Sequence, residues 1–431
     1  MSARLNKRML SSVCALLCAS WLAGAAQAQQ AAAPVPVAAP ASALADALPA
    51  QAQTLNEYLQ LVVRNSAQLK ADRTRIAAAQ ADTLSAGTWP NPTLGLSKQP
   101  QEKDLSISQP LPIFGQLSQR VKTARQAEEV AAAQWNSGVQ EVMNEAAGAF
   151  NEVLVAQRRL ELWQAAGSDL AGAAKIVKGQ IEAGARSQYD GARIALQVAQ
   201  MDIQIRKAQA ALQDASSKMA ALASLPRWQP QALGSLKPLP ASAYASSDAL
   251  WEQARGRLPA LKAAAADLEQ SRQQIALQQR EAIPTPALSY TRVRHRQDGR
   301  YGIVGVSVDI PLFDRKQGAV DKARADEMQA RYKQESVEVA AQAELMRSLQ
   351  QLRLANEALQ TFEDEALLQL DQLHRMAQDS YVLGKSNVLE MIDVFDNLRE
   401  RRMDHLDLVK DMLEAQWRVR VASGNLPLLP P

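Results

Sequence analysis

Toward the C-terminal end of the sequence, Glu390-Met-Ile-Asp393-Val-Phe-Asp396 sets three carboxylates three residues apart, just past a Leu383-Gly384-Lys385 break. On a helix that spacing carries them up one side. Crowded like charges raise one another's pKa and attract cations, so several converging copies would make a cation-selective constriction. The same spacing also describes an ordinary solvated helix face. Other chemistry is sparse. His295 lies in a basic stretch, and His374 and His405 lie in helical sequence. Asp371-x-x-His374 has the spacing of a metal pair, but no second pair accompanies it and no cysteine ligand stands nearby. The sequence has no His-Glu-x-x-His, no Gly-x-Ser-x-Gly and no phosphate loop ending in Lys-Ser/Thr. These observations point away from an enzyme, and no cofactor or metal site is expected.

The first residues read as an address. Arg4, Lys7 and Arg8 precede an apolar run from Met9 to Ala23, and Ala26-Gln27-Ala28 has the small-x-small form of a cleavage site. Residues 1–28 are therefore expected to be a signal peptide. A membrane anchor is the alternative, although the run falls short of the ~18 residues of a span. Both cysteines, Cys14 and Cys18, fall in this segment, and Leu17 is too large for lipidation at Cys18. Residues 29–50 are rich in Ala and Pro and read as a tether that cannot bury a core. With 48 basic and 45 acidic residues interspersed, no nucleic-acid partner is expected. Hydrophobic residues make up 47% and aromatics only 4%, a balance suited to long, narrow helical packing.

Proline punctuates the remainder of the chain. Pro90-Asn-Pro92 and Pro284-Thr-Pro286 each stop a helical pattern and launch alternating sequence, Leu94 and Leu96 in the first case and Leu288 and Tyr290 in the second. Gln109-Pro-Leu-Pro-Ile-Phe-Gly115 closes the first hairpin, and Asp309-Ile-Pro-Leu-Phe313 echoes it. Pro90 and Pro284 are 194 residues apart, Pro112 and Pro311 199, and Gly184 and Gly384 200. Three landmarks recurring in order at a nearly constant offset indicate an internal duplication. The first repeat spans 51–225: a helix, strands at about 93–99 and 104–110, and a long helix pair turning at 183–186. A Pro-rich linker occupies 226–247. The second repeat spans 248–424: a helix over about 248–281, strands at about 287–295 and 301–309, and a helix pair turning at 383–386. Residues 425–431 form a tail. The basic run Arg292, Arg294, His295, Arg296 is expected in a charged loop between the second pair of strands, where it could meet anionic lipopolysaccharide. Trp89 could serve as an interface anchor or as core.

The fold class is thus mainly α with a small β part, built from a duplicated helix–β-hairpin–helix unit. Helices of ~65 residues reach about 100 Å and must pack lengthwise, in coiled-coil fashion. Two hairpins leave open edges, which a bilayer does not tolerate. Spanning barrels need about eight strands or more. Four exported strands must therefore stay out of the membrane or share a wall with other copies; three copies would supply twelve.

The Pro-x-Pro strand entries, the closing motif with its echo and the two glycine reversals together resemble the outer-membrane efflux proteins, the TolC-like channel-tunnels, over essentially the whole mature chain. "GTWPNPTLGLS" and "ISQPLPIFGQLSQR" look most like the heavy-metal (cobalt-zinc-cadmium type) branch. The resemblance implies a homotrimer in the outer membrane of a Gram-negative bacterium, with a 12-stranded transmembrane β-barrel, an antiparallel coiled-coil α-barrel in the periplasm, and docking to a periplasmic adaptor and an inner-membrane RND pump. It also implies that Glu390 and Asp393 form the periplasmic constriction, though the first of these is usually Asp. Asp190 and Tyr381 fall where the family's gate network lies. The family's arginine position holds Ser386 here, which leaves Lys385 or Arg186 as the positive partner. Gly184 and Ala185, with Gly384, Lys385 and Ser386, match the tips that meet the adaptor. A second class, a periplasmic adaptor or coiled-coil scaffold, would carry strand-rich modules that are not evident in this sequence.

Overall fold

The computed structural model describes residues 49–236, 247–296, 298–364, 368–383 and 385–425. The expected signal peptide, nearly all of the tether, the centre of the linker, the tip residue Gly384 and the last six residues lie outside that set. All elements belong to the unit that begins at Ala50.

Each repeat opens on two short helices. In the first, β1 (Ala52–Gln53) leads into α1 (Leu55–Asn65), where Thr54 and Glu57 form a reciprocal capping box. Ser66 then ends α1 and caps α2 (Ala67–Ala86) with its hydroxyl. After α2 come β2 (Thr93–Lys98) and β3 (Glu102–Pro110), then α3 (Gln116–Glu182) and α4 (Gln188–Leu222). β4 (Gln231–Ala232) pairs in parallel with β1, tying the start of the first repeat to the linker.

The second repeat runs α5 (Ser247–Arg257), α6 (Pro259–Glu281), β5 (Ala287–His295), β6 (Gly299–Ser307), α7 (Gln317–Phe362), α8 (Leu368–Val382) and α9 (Val388–Ala422). A single helix was the expectation over 248–281; the chain instead divides at Leu258 between α5 and α6. Pro259 explains the division, because proline suits the first turn of a helix and breaks the interior of one. α3 is one unbroken helix of 67 residues, about 100 Å long. Its counterpart is described as α7 and α8, on either side of residues 365–367, which lie outside the described set.

The hairpins are not separate. β3 pairs with β5 over nine residues, giving one antiparallel sheet in the order β2-β3-β5-β6. β2 and β6 are left as its edges. Where the sheet meets the helices, Leu111 N–H donates to the Pro286 carbonyl at 2.7 Å. The buried Gln116 side chain donates to the Ile283 carbonyl at 3.2 Å. The closing motif of the first repeat is thereby stitched to the Pro-x-Pro entry of the second.

α3 is the packing spine, lying against α1, α2, α4, α6 and α9, while α7 lies on α5, α6 and α9. One core gathers Tyr58, Leu59 and Val62 of α1 with Phe150 and Val153 of α3 and Met219 of α4. Each such side chain, fully buried, contributes about 1.5–3 kcal/mol of transfer free energy. A second core lies near the far end of α3, away from the sheet. Among the described residues no helix is long and apolar enough to cross a membrane.

Candidate functional site

Two regions of the chain can act on something outside it: the turns at the far end of α3, and the faces of the sheet. At the turns, α3 stops because Gly184 adopts φ +73°, a left-handed conformation that costs glycine little. Ala185 N–H then donates to the Gln180 carbonyl at 2.8 Å. Four residues past Gly184, α4 begins under a capping box in which the Asp190 carboxylate accepts from the Ser187 amide and hydroxyl. The second repeat does the same with Asn387 and Glu390, two hundred residues later. Asp190 and Glu390 therefore hold equivalent positions, and each has an intrahelical role as well as whatever it does beyond the chain.

Glu390 and Asp393 are both exposed on the first turns of α9. Asp396, the third of the spaced acids, turns inward: it accepts from Gln197 of α4 at 2.9 Å and pairs with Arg399, whose guanidinium lies over the Trp163 ring. Tyr381 is fully buried in the second core, beside Val177, Ile194, Val388 and Met391. Its hydroxyl donates to Gln180 of α3 at 2.9 Å. Arg186 stands 5.5 Å over its ring and also donates to the Ser386 carbonyl at 3.2 Å. Burial raises the Tyr381 phenol above its ordinary pKa; Arg186 pulls it back and the charge of Asp190 adds to the rise. Of the two candidate cations, Arg186 is placed in this cluster, whereas the Lys385 side chain is exposed.

Arg186 and Ser386 are themselves equivalent in the two repeats. The guanidinium found at this turn thus comes from the first repeat and reaches the Ser386 carbonyl of the second. Among the described residues the buried Ser386 hydroxyl has no hydrogen-bond partner. Sequence reasoning missed Gln180. Its signal was weak: a neutral residue in the last turn of α3, facing a tyrosine 201 residues away.

The histidines do not assemble. His374 approaches Asp169 at 3.7 Å and packs on Phe395, His405 meets Glu363, and His295 meets Asp298. Among the described residues no group of three His, Cys, Asp or Glu side chains is arranged to hold a metal ion.

The sheet reverses the habit of a water-soluble protein. Register puts Leu94, Ile107, Tyr290 and Val304 in one cross-strand row, and Leu96 and Leu105 in the next. That face is the exposed one: Leu96 is 80% and Val304 70% accessible. The opposite face carries Thr93, Ser108, Ser289 and Gly305, then Gly95, Ser106, Thr291 and Ile303, and is shielded over most of β3 and β5. Glycines pack hydroxyls here, since a Cβ on Gly95 would meet Ser106 Oγ at 2.6 Å. The basic run expected in a loop lies mostly within the sheet: Arg292, Arg294 and His295 belong to β5, and only Arg296 is in the turn. Exposed Arg292 and Arg294 alternate with buried Val293 and half-buried His295, a strand pattern that the run of charge obscured in the sequence.

A spine of long antiparallel helices ending in a four-stranded sheet with an apolar outer face is the architecture of the TolC-like channels. The family model for outer membrane efflux proteins matches residues 58–224 and 250–425, and the chain belongs to that family. It is similar to the cobalt-zinc-cadmium resistance protein CzcC of Cupriavidus metallidurans, with 24% identity over 378 residues, covering 84% of this chain and 88% of that protein. The solved structure of CusC, described with transmembrane channel formation, superimposes with a TM-score of 0.70 at 17% identity, over 86% of this chain and 92% of that one. VceC of Vibrio cholerae gives 0.69 at 16% identity, over 86% and 96%. The family match sets aside the adaptor alternative.

Proposed function

We propose that the chain is the outer-membrane channel of a tripartite RND-type efflux system, a passive homotrimer that conducts solute from a pump and its periplasmic adaptor to the cell exterior. The observation that carries this reading is the reversed sheet, with its apolar face exposed and both edge strands unpaired. Lipid would cover such a face, and copies of the chain would pair such edges; three copies close a wall of twelve strands. The hydroxyl-lined face then meets a water-filled lumen. The helices extend into the periplasm, and their turns, Gly184-Ala185 and Gly384-Lys385-Ser386, meet the adaptor.

At those turns Glu390 and Asp393 of three chains converge into a cation-selective constriction. The Arg186–Tyr381–Gln180 cluster, with Asp190 nearby, holds α8 and the start of α9 against α3 and α4 in the closed state. A cation–π contact of this kind is worth about 0.5–2 kcal/mol, enough to bias a gate without locking it. The kinship with a protein named for cobalt, zinc and cadmium resistance makes divalent metal cations the first substrates to test.

Recording in planar bilayers tests the reading. We predict small, cation-selective conductance for the native protein. Arg186→Ala, Tyr381→Phe and Asp190→Ala should each raise it severalfold and increase antibiotic leakage in cells. Glu390→Gln with Asp393→Asn should reduce cation selectivity. Unchanged conductance and leakage in the first three variants would remove the gate assignment, and a native protein that makes no channels would remove the conduit.

A further inference from the structure

The exposed face of the sheet carries a second pattern beyond its apolar rows. Lys98 pairs with Lys103, Lys103 with Arg294, and Arg294 with Arg300. One cross-strand row therefore holds a cation on every strand. Arg292 stands one row nearer the helices, level with Leu96 and Leu105, and Arg296 lies in the turn beyond. All six are exposed, and among the described residues none forms an ion pair. The carboxylates of the same region lie elsewhere. Asp104 opposes Ser97 and Val293, and Glu102 opposes His295, all on the hydroxyl-lined face; Asp298 pairs with His295.

Directly opposed side chains on one sheet face sit roughly 5 Å apart, and like charges so placed are destabilising. A sheet whose only surroundings were water would relieve this by alternating sign, and the acids needed are present, two residues away or fewer. They face the other way. A counter-anion from outside the chain is the natural complement of the row, and the apolar rows beside it specify what kind.

We propose that this row binds the phosphate groups of phosphorylated lipids in the outer leaflet. The proposal rests on the conduit reading, which places Leu94, Leu96, Leu105 and Ile107 in hydrocarbon and the hairpin ends at the outer surface of the membrane. An amphiphile whose acyl chains lie on the leucines brings its phosphates to the cations. Free phosphate would gain nothing from the apolar rows. Lys and Arg stems lie along apolar surface while their charged ends reach outward, which lets Arg292 serve phosphates above its own row, and guanidinium groups take phosphate in two-pronged fashion.

The test uses the purified full chain in detergent, titrated separately with diphosphoryl lipid A, monophosphoryl lipid A and phosphatidylcholine. Retained lipid is counted by native mass spectrometry. Affinity should fall in that order. Replacing Lys98, Lys103, Arg294 and Arg300 by Gln should weaken diphosphoryl lipid A by about tenfold or more, as expected for loss of several charges near a phosphate surface. The exchange Lys98→Arg, Lys103→Arg, Arg294→Lys, Arg300→Lys should retain it, and millimolar inorganic phosphate should not compete. Equal retention of phosphatidylcholine and diphosphoryl lipid A by the native protein overturns the proposal without recourse to any variant. Undiminished affinity in the Gln variant, or displacement by inorganic phosphate, overturns it as well. Single-channel recording separates the two readings. Native protein that conducts but shows no phosphate preference ends this proposal alone; native protein that never conducts ends the conduit reading beneath it.

Discussion

Tyr58 donates its hydroxyl to the Met219 carbonyl at 2.9 Å inside the core shared by α1, α3 and α4. Burial, reinforced by the charge of Glu145, pushes its phenol well above the ordinary 10.0. Above pH 10 the unfolded chain releases this proton while the folded chain keeps it, so the unfolded state is favoured as pH rises. We predict that Tyr58→Phe costs about 1 kcal/mol at pH 8 and flattens the loss of stability between about pH 9 and pH 11. Thermal unfolding monitored by circular dichroism at both ends of that window checks it; an identical pH slope in the two proteins would refute the assignment. Nothing in the sequence singled this residue out, because its partner carbonyl lies 161 residues away. The turns were more legible, because Gly184 and Gly384 mark breaks in the helical pattern, whereas Tyr381 was pointed to only by the family resemblance. Gln180 was not, because its partner lies two hundred residues away and the hydrogen bond depends on helices meeting at a particular depth.

Among elements, the long helices show where conformational cost is concentrated. α3 and α7 both begin from a residue in the left-handed region: Gly115 at φ 83° and Lys316 at φ 60°. Each is the N-cap of the long helix that follows a hairpin, but only one is the residue that adopts this geometry freely. A side chain in that conformation costs about 1–2 kcal/mol. We predict that Lys316→Gly raises stability by up to about 1 kcal/mol and that Gly115→Ala lowers it by a similar amount. Denaturation midpoints of the two variants against the native protein decide the matter; a destabilised Lys316→Gly would mean that the lysine side chain does something its backbone conformation conceals. The Pro-x-Pro entries, the hairpins and the extent of α3 were readable from proline placement and a change of period. The division at Leu258–Pro259 was not, because a proline at a first helical turn looks the same as a proline that interrupts. The joining of β3 to β5 is invisible to any local pattern, since it is decided by where two entry motifs are brought together.

For the whole molecule, duplication turns one observed contact into an expectation about another. Ile107 of β3 pairs with Tyr290 of β5. Carried forward by the offsets between repeats, 199 residues for the second strand and 194 for the first, the same joint sets Val306 of β6 opposite Leu96 of β2 in a neighbouring copy. We predict that a Leu96→Cys, Val306→Cys double variant forms intermolecular disulfides on mild oxidation, giving a covalent trimer on a non-reducing gel. Ser97→Cys with Val306→Cys places the thiols on opposite faces and should not. The sequence contains no cysteine beyond Cys14 and Cys18, so the background is low. Efficient cross-linking of the control pair alone would show that the joint has a different register.

The unpaired rims of the sheet bear on how the protein is made. On the proposed function, a newly exported chain that has not yet met its sister copies displays a greasy ribbon with two raw borders to the aqueous periplasm. Under the proposed trimeric reading, its yield is governed by a race between productive encounter and clumping, and both rise faster than linearly with the concentration of unassembled chain.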